Sequence, residues 1–264
     1  MGSEAGGLSG RHALVTGASQ GIGRAAALAL AAQGCTVTVL ARSAMKLTHL
    51  ADELRAAGAP EAHVLAADLE DRGSLRLIVE SHLKAHGPLH ILVNNAGGPP
   101  SGPILEAEEA DFLKAFGRLL MAPHLLVKLL LPGMKEAGYG RIINVISTSV
   151  REPLPNLGVS NTIRGATAAW AKTLAKELPP GITINNVLPG ATATERLEAI
   201  ELALAEKSGR SVESVKADMV RMIPEGRVAD PVETAALIAF LASPEAAYVR
   251  GQSIAVDGGR MNAI

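Results

Sequence analysis

The sequence predicts an α/β fold, a doubly wound parallel sheet with helices on both faces, and three observations carry that prediction. Short β-branched runs alternate with longer helical patterns along the whole chain. Strand-like runs such as Ile91-Leu92-Val93 and Ile142-Ile143 are apolar without alternation, as strands covered on both faces must be. The first run, Ala13-Leu14-Val15, passes through a glycine-rich turn straight into an alanine-rich helical pattern.

Taken in order, the first strand spans residues 13–16 and its helix residues 24–33, where alanines and leucines recur at helical spacing. The second strand, 36–41, is followed by a helical pattern over 46–57, and the third, 62–66, by one over 73–86. A fourth strand at 91–93 leads to a long helical pattern over 108–131, and a fifth at 141–146 to one over 162–178. The sixth strand, 183–188, and the seventh, 253–256, enclose the last helical pattern, 231–241. Prolines 153, 155, 179, 180 and 189 all fall at junctions between these elements. Residues 197–227 break the alternation; richer in charge, they read either as an inserted helical lid or as an ordinary surface helix pair. The expected organisation is a flexible segment over 1–10 and one domain over 11–264, with the lid near 195–227.

Composition narrows the function. With 264 residues, 48% of them hydrophobic, and a mean hydropathy of +0.23, the chain has ample material for a core. Aromatic residues make up only 2%, so Ala, Leu, Val and Ile must build that core, and platforms for stacking nucleic-acid bases are not expected. A formal charge of −1 and a pI near 6.7 leave no electrostatic footprint for nucleic acid or an anionic membrane. No apolar run approaches the roughly 20 residues of a membrane span. Cys35, the only cysteine, reads as a small buried apolar residue. The start of the chain lacks a basic and apolar signal pattern, and a cytoplasmic location is expected.

The turn Thr16-Gly17-Ala18-Ser19-Gln20-Gly21-Ile22-Gly23 is the first chemical signal. A helix start leaves backbone N–H groups unpaired and carries the positive end of the peptide dipole, and glycines let a pyrophosphate approach where a Cβ would collide. A dinucleotide is the first hypothesis; the alternative is that the glycines only permit a tight turn. Histidines 12, 49, 63, 82, 86 and 90 are scattered without ligand spacing, so no metal is expected.

Further motifs stand in order along the chain: Asp68-Leu69 after the third strand, Asn94-Asn95-Ala96-Gly97 after the fourth, Pro189-Gly190 with Thr192 and Thr194 after the sixth, and Gly251 with Asp257-Gly258-Gly259 near the end. With these the chain resembles the short-chain dehydrogenase/reductase family, and within it members similar to 3-oxoacyl-ACP reductases. The resemblance runs from Leu8 to Gly259 and implies a Rossmann fold. It also implies that Gly17, Ser19, Gln20, Gly21, Ile22 and Gly23 follow the pyrophosphate, that Asp68 and Leu69 frame the adenine, and that Asn95, Ala96 and Gly97 line the nicotinamide side. Pro189, Gly190, Thr192 and Thr194 would cover the carboxamide end. A homo-oligomer, dimer or tetramer, is implied as well.

At the end of the second strand, where an NAD enzyme would place a carboxylate, stand Ala41, Arg42 and Ser43. Arg42 offers a 2′-phosphate a planar, permanently charged fork, with Ser19 and Ser43 as hydroxyl donors, so NADP(H) is the expected cofactor. The catalytic pattern departs from the family's Asn, Ser, Tyr and Lys. Ser147 matches the serine, but Ser160 stands at the tyrosine position, Arg164 at the lysine position and Leu119 at the asparagine position. A serine hydroxyl is a far weaker acid than a phenol, and an arginine cannot relay a proton near neutrality, although Arg164, on the same helix face as Ser160, can still hold the nicotinamide ribose through hydrogen bonds. Three readings follow. One is an NADP(H)-dependent oxidoreductase acting on a carbonyl, imine or alcohol of a small or acyl substrate, with Ser147, Ser160 and Arg164 as catalytic residues. The others are an NADPH-binding regulator or inactive partner subunit, and a lyase or dehydratase on the same scaffold.

Overall fold

The computed structural model describes residues 7–263, and seven parallel strands form its centre. They are His12–Thr16 (β1), Thr36–Ala41 (β2), Ala62–Ala66 (β3), Ile91–Asn94 (β4), Gly140–Val145 (β5), Ile182–Pro189 (β6) and Ser253–Val256 (β7). Their order in the sheet is β3-β2-β1-β4-β5-β6-β7, so chain direction across the sheet reverses between β1 and β4. Ala13 registers with Val37 on one side and with Ile91 on the other, and the carboxyl ends of these two central strands open the crevice where such sheets bind ligands.

Helices cover both faces because each strand is apolar on both. Gly21–Ala31 (α1), Ala44–Ala56 (α2) and Pro231–Ala242 (α9) bury Leu30, Leu50, Leu54 and Ile238 over one face. Arg72–His86 (α3), Ala122–Glu136 (α5) and Gly158–Glu177 (α6) bury Leu75, Leu126, Leu130 and Ala171 over the other. Glu109–Phe116 (α4) runs into α5 through a π-helical turn at Gly117–Met121. By length and composition alone the stretch Glu109–Glu136 could cross a membrane, but half of its most apolar window is packed inside the protein, as in the core helix of a folded domain. The lid region forms two helices, Glu195–Ser208 (α7) and Val212–Arg221 (α8). Of the N-terminal segment expected to be flexible, residues 1–6 lie outside the described residues. Leu8 is fully buried, and its N–H donates to the Gln33 carbonyl at 2.8 Å.

Polar side chains cross the sheet in two places. Asn94 donates to Asn144, Asn144 to Asn186 and Asn186 to Ser253, each at 2.9–3.0 Å, so a ladder of amides ending on a hydroxyl links β4 to β7. At the amino end, the histidines that looked scattered converge. Thr38 Oγ1 sits 2.7 Å from His12 Nε2 and 2.9 Å from His82 Nε2, and the rings of His63 and His86 stack with centroids 4.0 Å apart. One hydroxyl proton cannot satisfy both imidazoles as acceptors, so one ring donates to Thr38 and the other accepts from it. Glu61, His63 and His86 also bring one ligand atom each within 4.8 Å of one another, an arrangement made by β3 and α3 that linear spacing does not reveal.

Candidate active site

A cleft of about 1050 Å³ lies at the carboxyl ends of the strands, running from the start of α2 past the glycine turn to α7 and α8. Gly17 and Gly21 hold φ of +58° and +55°, a region costly for any residue with a Cβ, and a Cβ on Gly17 would lie 2.5 Å from the Asn95 carbonyl oxygen. Helix α1 starts without a side-chain cap and without an acidic residue in its first turn, so its first N–H groups are left for an anion. Ser19, Gln20 and Ile22 line the cleft beside them. Gly23 does not. It is buried in α1, where a Cβ would meet the Gly17 carbonyl at 2.4 Å, so it serves close packing of helix on turn rather than the pyrophosphate contact expected of it.

At the adenosine end, Arg42 is exposed and forms no ion pair among the described residues. Ser43 caps α2, its Oγ accepting from the Lys46 N–H at 3.4 Å. Lys46, which the sequence reading missed, lines the same end and donates to Gln20 Oε1 at 3.2 Å. Asp68 and Leu69 form the opposite wall; one Asp68 oxygen accepts from the Glu70 N–H at 2.9 Å. These residues fit an adenosine carrying a 2′-phosphate, since two cations flank the space and no carboxylate stands beside Arg42.

At the other end, Asn95 Nδ2 donates to the Thr16 and Gly17 carbonyls at 3.3 and 3.1 Å, tying the β4 loop to the glycine turn. Ala96 and Gly97 continue along the cleft, faced by Pro189, Gly190 and Thr192. A Cβ on Gly190 would lie 2.8 Å from Asp257, so β6 can turn there only as glycine. Thr194 caps α7 and touches the glycine turn, and Gln20 Nε2 donates to Glu195 at 2.7 Å, so the start of α7 is seated on the turn.

Ser147, Ser160 and Arg164 meet on the floor of this end. Ser147 follows β5, and its Oγ accepts from the Ser149 N–H at 3.1 Å. Helix α6 begins four residues earlier than the sequence pattern indicates, which puts Ser160 in its first turn and Arg164 one turn on. Both are buried. Arg164 donates from Nε to Ser160 Oγ at 3.2 Å and from Nη1 to the Val145 and Ile146 carbonyls at 3.1 and 3.0 Å, with Ala96 O at 3.5 Å from Nη2. Burial, reinforced by Arg196 and Arg118, lowers its pKa to about 10, which leaves it a cation at neutral pH. Beside it lies a small space of about 20 Å³, enough for one water. Two residues lining that space, Asn94 and Arg118, each carry a buried polar atom without a protein partner, Oδ1 and Nε.

A family model described as enoyl-(acyl carrier protein) reductase matches residues 17–261. The chain belongs to the short-chain dehydrogenase/reductase family. It is 34% identical to the NADPH-dependent reductase BacG of Bacillus subtilis, over 97% of this chain and all of that one. It is 32% identical to the 3-oxoacyl-[acyl-carrier-protein] reductase FabG of Vibrio cholerae, over 96% and 98%. Among solved structures, L-sorbose reductase from Gluconobacter frateurii, complexed with NADPH and L-sorbose, superposes with a TM-score of 0.91 at 31% identity, over 98% and 99% of the two chains.

Against that family pattern the departures are local. No tyrosine lines the cleft: the Tyr139 hydroxyl is buried against the Ala242 carbonyl, and Tyr248 is fully exposed. Leu119 lies in the π-helical turn, and its carbonyl accepts from Thr167 Oγ1 at 3.2 Å. His124 packs edge-on against Trp170, 6.2 Å between centroids, and neither it nor Lys128 lines the cleft. Arg196, on the first turn of α7, was not read from the sequence; it reaches across the cleft to donate to the Pro99 carbonyl at 2.6 Å. From the lid region Leu197, Ile200, Leu204, Met219 and Met222 line the cleft, whereas Leu202 turns away and is exposed.

Proposed function

We propose that this oxidoreductase binds NADP(H) and reduces the carbonyl group of a small substrate, with Ser147 and Ser160 holding the carbonyl oxygen. The observation that carries this reading is the 3.2 Å hydrogen bond from Arg164 to Ser160 on the cleft floor, where the family places its tyrosine and lysine. The cofactor, when bound, supplies the hydride. Gly17, Ser19, Gln20, Gly21 and Ile22 would receive its pyrophosphate, Arg42, Ser43 and Lys46 its 2′-phosphate, and Asp68 and Leu69 its adenine. Asn95, Ala96, Gly97, Pro189, Gly190, Thr192 and Thr194 would enclose the nicotinamide. BacG is named as an NADPH-dependent reductase, which accords with this choice.

The serines' chemistry follows from what each oxygen already accepts. Ser160 Oγ takes a charge-assisted bond from Arg164, which polarises its O–H toward the substrate oxygen. Ser147 Oγ takes the Ser149 N–H and likewise has its proton free to donate. The two hydroxyls act as an oxyanion site for the charge that develops on the substrate oxygen. Ser160 then gives up its proton to that oxygen and regains one from water in the cleft it lines. Arg164 remains a fixed cation throughout. Replacing Ser160 with Ala should lower kcat by about 100-fold while leaving NADPH affinity unchanged, as measured by NADPH oxidation and fluorescence titration. Unchanged kcat across a panel of carbonyl substrates would remove Ser160 from the mechanism. Cytoplasmic residence and assembly as a dimer or tetramer through α5 and α6 complete the reading. The single thiol, Cys35, is buried and pushed up to about 12, consistent with no redox role.

A further inference from the structure

The reductase reading leaves an excess of positive charge at the reacting end of the cleft. Arg118 is paired with Glu70 at 3.2 Å, but neither Arg164 nor Arg196 forms an ion pair among the described residues. Arg164 is buried and Arg196 half-buried; burial lowers the pKa of both, with Arg196 and Arg118 adding to the shift of Arg164 and Arg118 to that of Arg196. Two unneutralised cations kept close together in a desolvated place are costly unless an anion joins them during the working cycle.

Gly98 shows where that anion fits. A Cβ built there would lie 3.5 Å from Arg164 Nη2 and 3.6 Å from Arg196 Nη2, so the space over Gly98 is bounded by both guanidinium groups. Gly98 does not hold a positive φ, so the turn does not require glycine; what the missing side chain provides is room between the two arginines. Beyond Arg196 the cleft wall becomes apolar, with Leu197 and Ile200 on α7, Met219 on α8 and Met222 just past its end.

We infer that the substrate is an oxo acid whose free carboxylate binds over Gly98 between Arg164 and Arg196, with its apolar remainder along α7 and α8. This rests on the reductase reading above and adds the substrate class. A guanidinium fork matches a carboxylate in two parallel hydrogen bonds, and Arg196, on the first turn of α7, would draw the two lid helices onto a bound acid. A methyl ester of the same skeleton keeps the carbonyl but leaves the cations unneutralised, and should be rejected on that ground.

The test uses the full-length protein, NADPH, and pairs of 2-oxo and 3-oxo acids with their methyl esters. The parent should prefer acid over ester by about 10- to 100-fold in kcat/KM, the range of one charged hydrogen bond. Arg196→Gln should collapse that preference toward unity by raising KM for the acid alone, with NADPH affinity unchanged. Gly98→Ala, whose added methyl makes only ordinary contacts, should fold normally and raise the acid's KM in the same direction. Equal use of acids and esters by the parent would overturn the oxo-acid inference while leaving the reductase reading intact. Loss of NADPH affinity in Arg196→Gln would overturn it too, by assigning Arg196 to the cofactor's phosphates. If no carbonyl compound is reduced, the reductase reading fails. Calorimetry of acids against esters on the NADPH-bound protein then decides the carboxylate site by itself: no preference for the acid overturns it.

Discussion

The two ends of the sheet each bury a cluster of titratable side chains, and they meet the cost of burial in opposite ways. At the carboxyl end Arg164 stays charged and surrounds itself with carbonyl and hydroxyl acceptors. At the amino end His12 and His82 give up their charge: burial first, and neighbouring histidines second, lower their pKa values from 6.5 to about 3 and about 4. The difference follows from the side chains themselves, since guanidinium does not deprotonate within reach of neutral pH whereas imidazole does. The buried fixed charge thus stands at the carboxyl end of the sheet, and the buried groups that acid can charge stand at the amino end.

Removing the buried cation should separate the two ends most strongly. Arg164→Ala would strip donors from Ser160 and from the Val145 and Ile146 carbonyls and open a void beneath the cleft. A loss of about 3 to 5 kcal/mol is expected, with a Tm lower by about 10 °C in calorimetry. Arg164→Lys should restore part of the stability, because a lysine keeps three donors but not the planar fork. If Arg164→Ala melts like the parent, the hydrogen bonds described here contribute little, and the two ends do not differ as argued.

Acid probes the opposite end. The unfolded chain binds protons at His12 and His82 near pH 6.5, while the folded chain holds both neutral until about pH 4 or below. Stability is therefore full above pH 6.5 and falls as the pH drops toward 4, by about 2 kcal/mol per histidine at pH 5. Urea denaturation at pH 7.5 and pH 5 measures this directly. His82→Gln, which keeps a polar group beside Thr38, should flatten the profile. An unchanged midpoint between the two pH values would show that the cluster does not titrate on unfolding.

What the sequence made legible follows the same division. All seven strands were readable because each is a local pattern, and the motifs that follow β1, β2, β3, β4 and β6, each joined to its own strand, line one cleft. Neither buried cluster was. Arg118, Arg164 and Arg196 lie far apart in the chain and meet only because the ends of β4 and β5, the π-helical turn and α7 converge. The histidines come from β1, β3 and α3, and their proximity is a product of strand order, not spacing. Gly23 was misassigned for a related reason: its motif position is local, but the atom that excludes a Cβ, the Gly17 carbonyl oxygen, is set by how the turn folds back on α1.

Within the carboxyl end itself, arginines differ in the same way. Arg42 is an arginine at the same end, but it is exposed and unpaired among the described residues, with Lys46 beside it. Water solvates it when the cleft holds no phosphate, so its removal should leave stability nearly unchanged, unlike that of Arg164. Its effect should fall on binding alone. Arg42→Asp replaces a charge-assisted phosphate contact with a repulsion, so NADPH affinity should drop by the equivalent of about 1.5 to 3 kcal/mol. NADH, which has no 2′-phosphate, should gain from the new carboxylate through its ribose hydroxyls. Fluorescence titration of both cofactors against parent and variant reads the two shifts separately. Equal affinities of the parent for NADPH and NADH would show that Arg42 does not choose the cofactor, and a melting shift as large as that of Arg164→Ala would show that its exposure does not set its role.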